Sequence, residues 1–153
     1  MKKVKLFLIQ LIFWEEVGLQ GTVAIFETFL EQGCYKHLEI ITLSNLKTYD
    51  EGLIPICKFM KTGKTVKELE LEINQISPKG CMYLGEALSP QFQVPITKLN
   101  LSYNKFGSEG LKNLAVGLSE NAFVEQLTLN YCEIDAEGAL YLQEILSFYD
   151  SKI

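Results

Sequence analysis

The apolar residues between Ile96 and Leu118 change their spacing midway. Ile96, Leu99 and Leu101 stand in the register of a short strand, Asn104 and Phe106 follow at a bend, and Gly110, Leu114 and Leu118 recur four apart, as on one face of a helix. One strand, one corner and one helix fit into this stretch. Such a unit leaves an apolar side of each element open to water, so it needs copies of itself stacked against it.

The copies are present. Val66–Leu88 and Val124–Leu146 match all eight of these positions, and Leu38–Met60 and Phe7–Phe29 match six. The corner glycines, Gly21, Gly52, Gly80, Gly110 and Gly138, lie 28 to 31 residues apart, so the repeat fills the chain. The departures are local: Gln10 at a strand core position, Glu15 and Leu46 where Asn or Cys stands elsewhere, and Thr48 at an apolar corner. Helix starts are marked by Ser77 before Pro78 and by Asp135, with Glu109 and Glu137 placing negative charge near helix N-termini. Pro55 predicts that the second repeat's helix begins near Leu53 or bends.

The pattern LxxLxLxx(N/C)xLxxxGxxxLxxxL resembles a leucine-rich repeat, and the long period with its helix and glycine resembles the ribonuclease-inhibitor subfamily, from Phe7 to about Leu146. The resemblance implies an α/β solenoid, a horseshoe segment with a parallel inner sheet and outer helices. It forms one domain, 1–153, with repeats near 7–37, 38–65, 66–95, 96–123 and 124–153, the first degenerate or capping. In that family the Asn position, here Asn74 and Asn104, forms a hydrogen-bonded ladder at the strand exits. Leu46 cannot join it, so the second bend is expected to be looser or differently bonded.

Side chains alternate along a strand, so if the fourth and sixth template positions face the core, the third, fifth and seventh face outward. On the concave face this places Glu68, Glu70, Glu72, Lys98, Asn100, Gln126 and Thr128, with Tyr103 and Tyr131 beside them. These nine are the candidate partner-binding residues, the glutamates as an acidic strip for lysine or arginine and the tyrosines as anchors; the competing reading is an ordinary solvated face. Three carboxylates in line on one strand are too spread to wrap a metal. The same alternation exposes Ile9, Leu11, Phe13, Trp14 and Ile40 at the other end as a second interface. Either a partner covers them, or the first repeat takes another register that buries some of them.

Charge and composition narrow the chemistry. Against 19 acidic residues stand 14 basic ones, all Lys, for a net charge of −5. Without arginine there is no arginine finger, and without a basic stripe nucleic acid is not an expected partner. Cys34, Cys57, Cys81 and Cys132 are scattered singly, which suggests reduced thiols, not a zinc site or disulfide framework. Gly63-Lys64-Thr65 lacks the glycine a P-loop requires at Lys58, and His37 has no nucleophile motif nearby. The start, MKKVKLFLIQLIF, is interrupted by Lys5 and Gln10, lacks a small-residue cleavage site and is too short for a membrane span.

The expected protein is therefore non-catalytic, without cofactor, metal, nucleic-acid or membrane partner, and binds proteins as a module or scaffold subunit. The resemblance adds two alternatives: a regulator of an enzyme such as a small GTPase, or a structural subunit of a larger assembly such as a ciliary dynein-regulatory complex. A cytoplasmic setting is expected, cytoskeletal or ciliary in the last case. A perfect last repeat with little after it leaves three readings open: a piece of a longer chain, a dimer, or a subunit joined end to end through uncapped termini.

Overall fold

The computed structural model describes residues 10–13, 17–33 and 36–150, the side chains of 148–150 excepted. Strand and helix alternate through it: β1 (Gln10–Phe13), α1 (Gly18–Gln32), β2 (Ile40–Leu43), α2 (Tyr49–Gly63), β3 (Glu68–Glu70), α3 (Pro78–Leu88), β4 (Lys98–Asn100), α4 (Gly107–Leu118), β5 (Gln126–Thr128) and α5 (Ala136–Asp150). The five strands form one parallel sheet in the order β1-β2-β3-β4-β5. Spatial order follows chain order, as stacked repeats require.

Register carries the template from strand to strand. Glu68 faces Ile40 and Lys98, Leu69 faces Ile41 and Leu99, and Glu70 faces Thr42 and Asn100. The column Leu11, Ile41, Leu69 and Leu99 is buried, and the helices close the core over it with residues such as Leu53, Ile56, Leu84, Leu88 and Leu114. Each such side chain contributes about 2 kcal/mol of burial. Toward the first repeats the core is aromatic, with Phe26 edge-on to Phe59 at 5.4 Å and to Phe29 at 5.9 Å between ring centroids. Further along, α3 and α4 meet through glycine: a Cβ on Gly117 would lie 1.8 Å from the Gly85 carbonyl oxygen, so only hydrogen fits there.

Asparagine holds the strand exits. Asn74 Oδ1 accepts from the amides of Leu46 (3.1 Å) and Thr48 (3.2 Å), while its Nδ2 donates to the carbonyls of Leu43 and Glu72. Asn104 repeats this one step on, accepting from Asn74 (2.8 Å) and Ile76 (3.1 Å) and donating to Leu71 (2.8 Å) and Leu101 (2.9 Å). Each asparagine therefore serves the repeat before its own. The bend at Leu46 is therefore bonded as the next one is, its amides held by Asn74 as those of the third repeat are held by Asn104, and the expectation of a looser or differently bonded second bend is not met. Cys132 holds this position in the last repeat, its thiol donating to the Leu101 carbonyl at 3.3 Å while the backbone amides of Asn104 and Tyr103 are directed at its sulfur. The Phe106 amide donates to the Asn104 carbonyl at 3.0 Å, and Gly107 takes a positive φ of 61°.

Two further expectations are corrected. Gln10 pairs with Ile40 and Leu11 with Ile41, so β1 sits one residue away from the expected register. A one-residue slip exchanges the faces of a strand. Leu11 is buried and Phe13 packs half-buried on the core, so neither is an exposed interface residue, and Ile40 is half-buried; Ile12 is the exposed apolar residue. The segment is apolar at both parities except at Gln10, and the adopted register places that carboxamide in water, where it needs no buried partner. Ile9 and Trp14 lie outside the described residues. Pro55, in turn, sits inside α2, which begins at Tyr49 and not near Leu53. The amide it lacks would have met the carbonyl of Glu51, an exposed residue that water can serve.

The expected helix starts are found. Ser77 Oγ accepts from the Lys79 amide at 3.2 Å with Pro78 in the first turn, and Asp135 Oδ1 accepts from Glu137 at 2.9 Å and Gly138 at 3.3 Å. Ser108 Oγ also donates to Asp135 Oδ1 at 2.6 Å, which together with the backbone bonds holds that carboxyl below its ordinary pKa.

Candidate functional site

The open side of the sheet carries the third and fifth template columns, and the acids on β3 and at its exit are not equivalent. Glu68 Oε1 pairs with Lys98 Nζ at 2.9 Å, and this hydrogen bond raises the lysine's pKa. Glu70 Oε2 and Glu72 Oε1 instead both accept from Asn100 Nδ2, at 2.9 and 2.6 Å. A neutral amide thus gathers two carboxylates without cancelling their charge. The Glu68–Lys98 pair is exposed to water and adds little to stability; with Lys98 bonded to Glu68, Glu70 and Glu72 make no ion pair among the described residues.

Beyond the strands the chain turns sharply. Asn45, Ile73, Tyr103 and Tyr131, one per repeat, adopt φ of 58°, 55°, 59° and 55°. A left-handed conformation costs an ordinary residue roughly 1–2 kcal/mol, and a β-branched one such as Ile73 is a rare occupant. The turn leaves Ile73, Tyr103 and Tyr131 exposed in a row along the rim, Tyr131 most of all at 74%. Tyr103 and Tyr131 stack with centroids 4.7 Å apart and planes 15° apart. Beside them Lys105 Nζ meets Glu133 Oε1 at 3.0 Å, and these four residues wall a shallow cleft.

All nine concave candidates fall on this side or its rim. Gln126 and Thr128 continue the face on β5, opposite Lys98 and Asn100. The seventh column does not stay outward throughout: Ser44 and Ser102 are buried, and Ser102 Oγ accepts from the Asn130 amide at 3.3 Å. Sequence reasoning missed Lys105 and Glu133. Their signal was opposite charge at one template position in successive repeats.

Other chemistry is sparse among the described residues. They contain no group of three His, Cys, Asp or Glu placed to hold a metal, and no helix long and apolar enough to cross a membrane. Cys57, Cys81 and Cys132 are free and buried; burial pushes the Cys57 thiol up to about 12 and raises the other two. Cys34 lies outside the described residues. His37 is exposed in the turn before β2.

A parallel sheet built from one strand per repeat, with an asparagine ladder and an outer helix in each, defines a class. The family model for the Leucine Rich repeat matches residues 64–85, 95–115 and 120–142. Leiomodin-1 Actin-Binding Site 2 (ABS2) has the same fold, with a TM-score of 0.71 at 20% identity over 94% of this chain and 82% of that one. This chain is a leucine-rich-repeat protein.

Among curated proteins it is similar to mouse (Mus musculus) ribonuclease inhibitor, 24% identical over 159 residues, and to human (Homo sapiens) NACHT, LRR and PYD domains-containing protein 13, 30% identical over 114 residues. The matches cover 86% and 73% of this chain but only 34% and 11% of those relatives. Within its class the chain belongs to the ribonuclease-inhibitor-like type.

Proposed function

We propose that this chain is a non-catalytic protein-binding module, and that the open sheet face receives a lysine- or arginine-bearing surface of a partner protein. The observation that carries this reading is the pairing of uncompensated Glu70 and Glu72 with the exposed, stacked Tyr103 and Tyr131. Carboxylates held by Asn100 are already positioned for a cation, and stacked rings offer apolar area at little cost in side-chain entropy. Lys98, Asn100, Gln126 and Thr128 supply the polar surround. The relatives lend support by name, one an inhibitor of ribonuclease and the structural neighbour an actin-binding site. A cytoplasmic setting goes with this reading.

Affinity purification from native lysate tests it, comparing the intact chain with a Glu70→Ala, Glu72→Ala, Tyr103→Ala variant whose fold is checked by circular dichroism. A protein retained by the intact chain and lost with the variant supports the face as the recognition surface. Identical proteins with both chains overturn it.

A further inference from the structure

Ile73 occupies a position ill-suited to its type. It holds a left-handed φ of 55°, which a β-branched side chain disfavours, and at 45% exposure it adds little to the core. Asn45 fills the same turn one repeat earlier with a residue at ease there, and Tyr103 fills it one repeat later, 50% exposed. Ile73 and Tyr103 both lie in repeats with a neighbour on either side, so their exposure belongs to the repeated turn itself. A strained residue that packing does not explain points to a contact made elsewhere.

Spacing and charge indicate what fits. Ile73, Tyr103 and Tyr131 run across the strands one per repeat, about 4.8 Å apart, so the three span roughly 10 Å. A helix rises about 1.5 Å per residue and sets i, i+4 and i+7 on one face over about 10.5 Å. An extended segment sets alternate residues about 6.8 Å apart and reaches roughly 14 Å by the third, out of step with the row. On the outer side of the row Lys105 is answered by Glu133 at 3.0 Å; on the sheet side Glu70 and Glu72 are bonded by neutral Asn100. The unanswered charge along Ile73 and Tyr103 is therefore negative and faces the sheet.

We infer that this rim docks an amphipathic helix of the partner protein, lying across the strands. Its apolar residues at i, i+4 and i+7 rest on Ile73, Tyr103 and Tyr131, and lysine or arginine on one flank reaches Glu70 and Glu72. The apolar anchors give such a helix its affinity, and the charged flank fixes how it lies. The inference rests on the protein-binding reading above and specifies which element of the partner the face receives.

The test titrates the chain with a fluorescent alanine-rich peptide carrying leucine at i, i+4 and i+7 and lysine on one flank, read by anisotropy. A second peptide of the same composition has its leucines at alternate positions. Expected is saturable binding of the helical peptide, about tenfold or more tighter than the alternating one, weakened about fivefold or more by Ile73→Asn and by Glu72→Lys. Ile73→Asn installs the residue that Asn45 already supplies to this turn, so the fold is kept, which circular dichroism verifies. Val116→Asn, at an exposed position on α4, should leave binding unaltered. Equal affinity for the two peptides, no saturable binding of the helical one, or indifference to Ile73→Asn overturns the proposal. The broader reading is judged apart from it: a lysate protein lost with Glu70→Ala, Glu72→Ala, Tyr103→Ala but kept by Ile73→Asn would refute the helix and uphold the face.

Discussion

Replacing Asn74 with leucine isolates what the asparagine ladder contributes. Leucine is of similar size and already occupies the same template position at Leu46, where it is 2% exposed, so Asn74→Leu leaves no large cavity. What it removes is hydrogen bonding: the buried amides of Leu46 and Thr48 lose their acceptor and the Leu43 carbonyl loses a donor. A buried polar group left without a partner costs about 1–3 kcal/mol, so three of them amount to ~4 kcal/mol after some relaxation. With a urea slope of about 2 kcal/mol/M, the denaturation midpoint falls by about 2 M. Hydrogen exchange should localise the effect, with faster exchange at Leu46 and Thr48 and less change at Ile76, which Asn104 serves. A loss below about 1 kcal/mol, or acceleration spread evenly over the sheet, would refute the idea that this side chain holds the exit of β2.

Other substitutions probe other contacts. Thr48 Oγ1 is buried without a hydrogen-bond partner at a position where Ile76, Phe106 and Ile134 stand in other repeats; Thr48→Val should raise stability by about 1 kcal/mol in urea titration. Gly117→Ala drives a methyl into the Gly85 carbonyl and should cost about 2 kcal/mol or more, visible as a lower thermal midpoint, because α3 and α4 must separate to admit it. The raised Cys57 pKa of about 12 keeps the native thiol neutral, so its alkylation at pH 8 should proceed only as fast as the chain opens. The sign for stability follows from linkage. A thiol raised from 9.0 contributes stability below pH 9 that declines as pH rises from there toward 12, which urea midpoints for wild type and Cys57→Ala between pH 8 and 11 should register.

The inner repeats were legible because local and global demands agree in them. Ile96, Leu99 and Leu101 fix a strand face, Asn104 its exit and Gly110 the helix approach, and the neighbouring repeats restate each choice. The first repeat was misread by one residue since FLIQLIF satisfies either strand parity, leaving Gln10 as the only discriminator, and a template carried over from its neighbours buried it. Pro55 misled because a proline in a helix was weighed by its missing amide alone, without the exposure of Glu51. At the candidate site the alternation put Glu68, Glu70 and Glu72 on the open side of the sheet, but did not give their division of labour. That depends on Asn100 reaching two glutamates while Lys98 reaches one, a matter of side-chain reach and not of period. The left-handed turn at Ile73, Tyr103 and Tyr131 ran against local preference and left no mark in residue type, although Asn45 at the same position is a favoured occupant.

Recognition through the sheet face is tested most directly by placing a photo-crosslinking residue at Tyr103 on the rim and, separately, at Val116 on α4, which is 73% exposed. After irradiation in native lysate, position 103 should yield a discrete crosslinked protein that disappears when Glu70→Ala and Glu72→Ala are added, and position 116 should not yield it. The same protein crosslinking from Val116, or from Tyr103 regardless of the two glutamates, would contradict binding through this face.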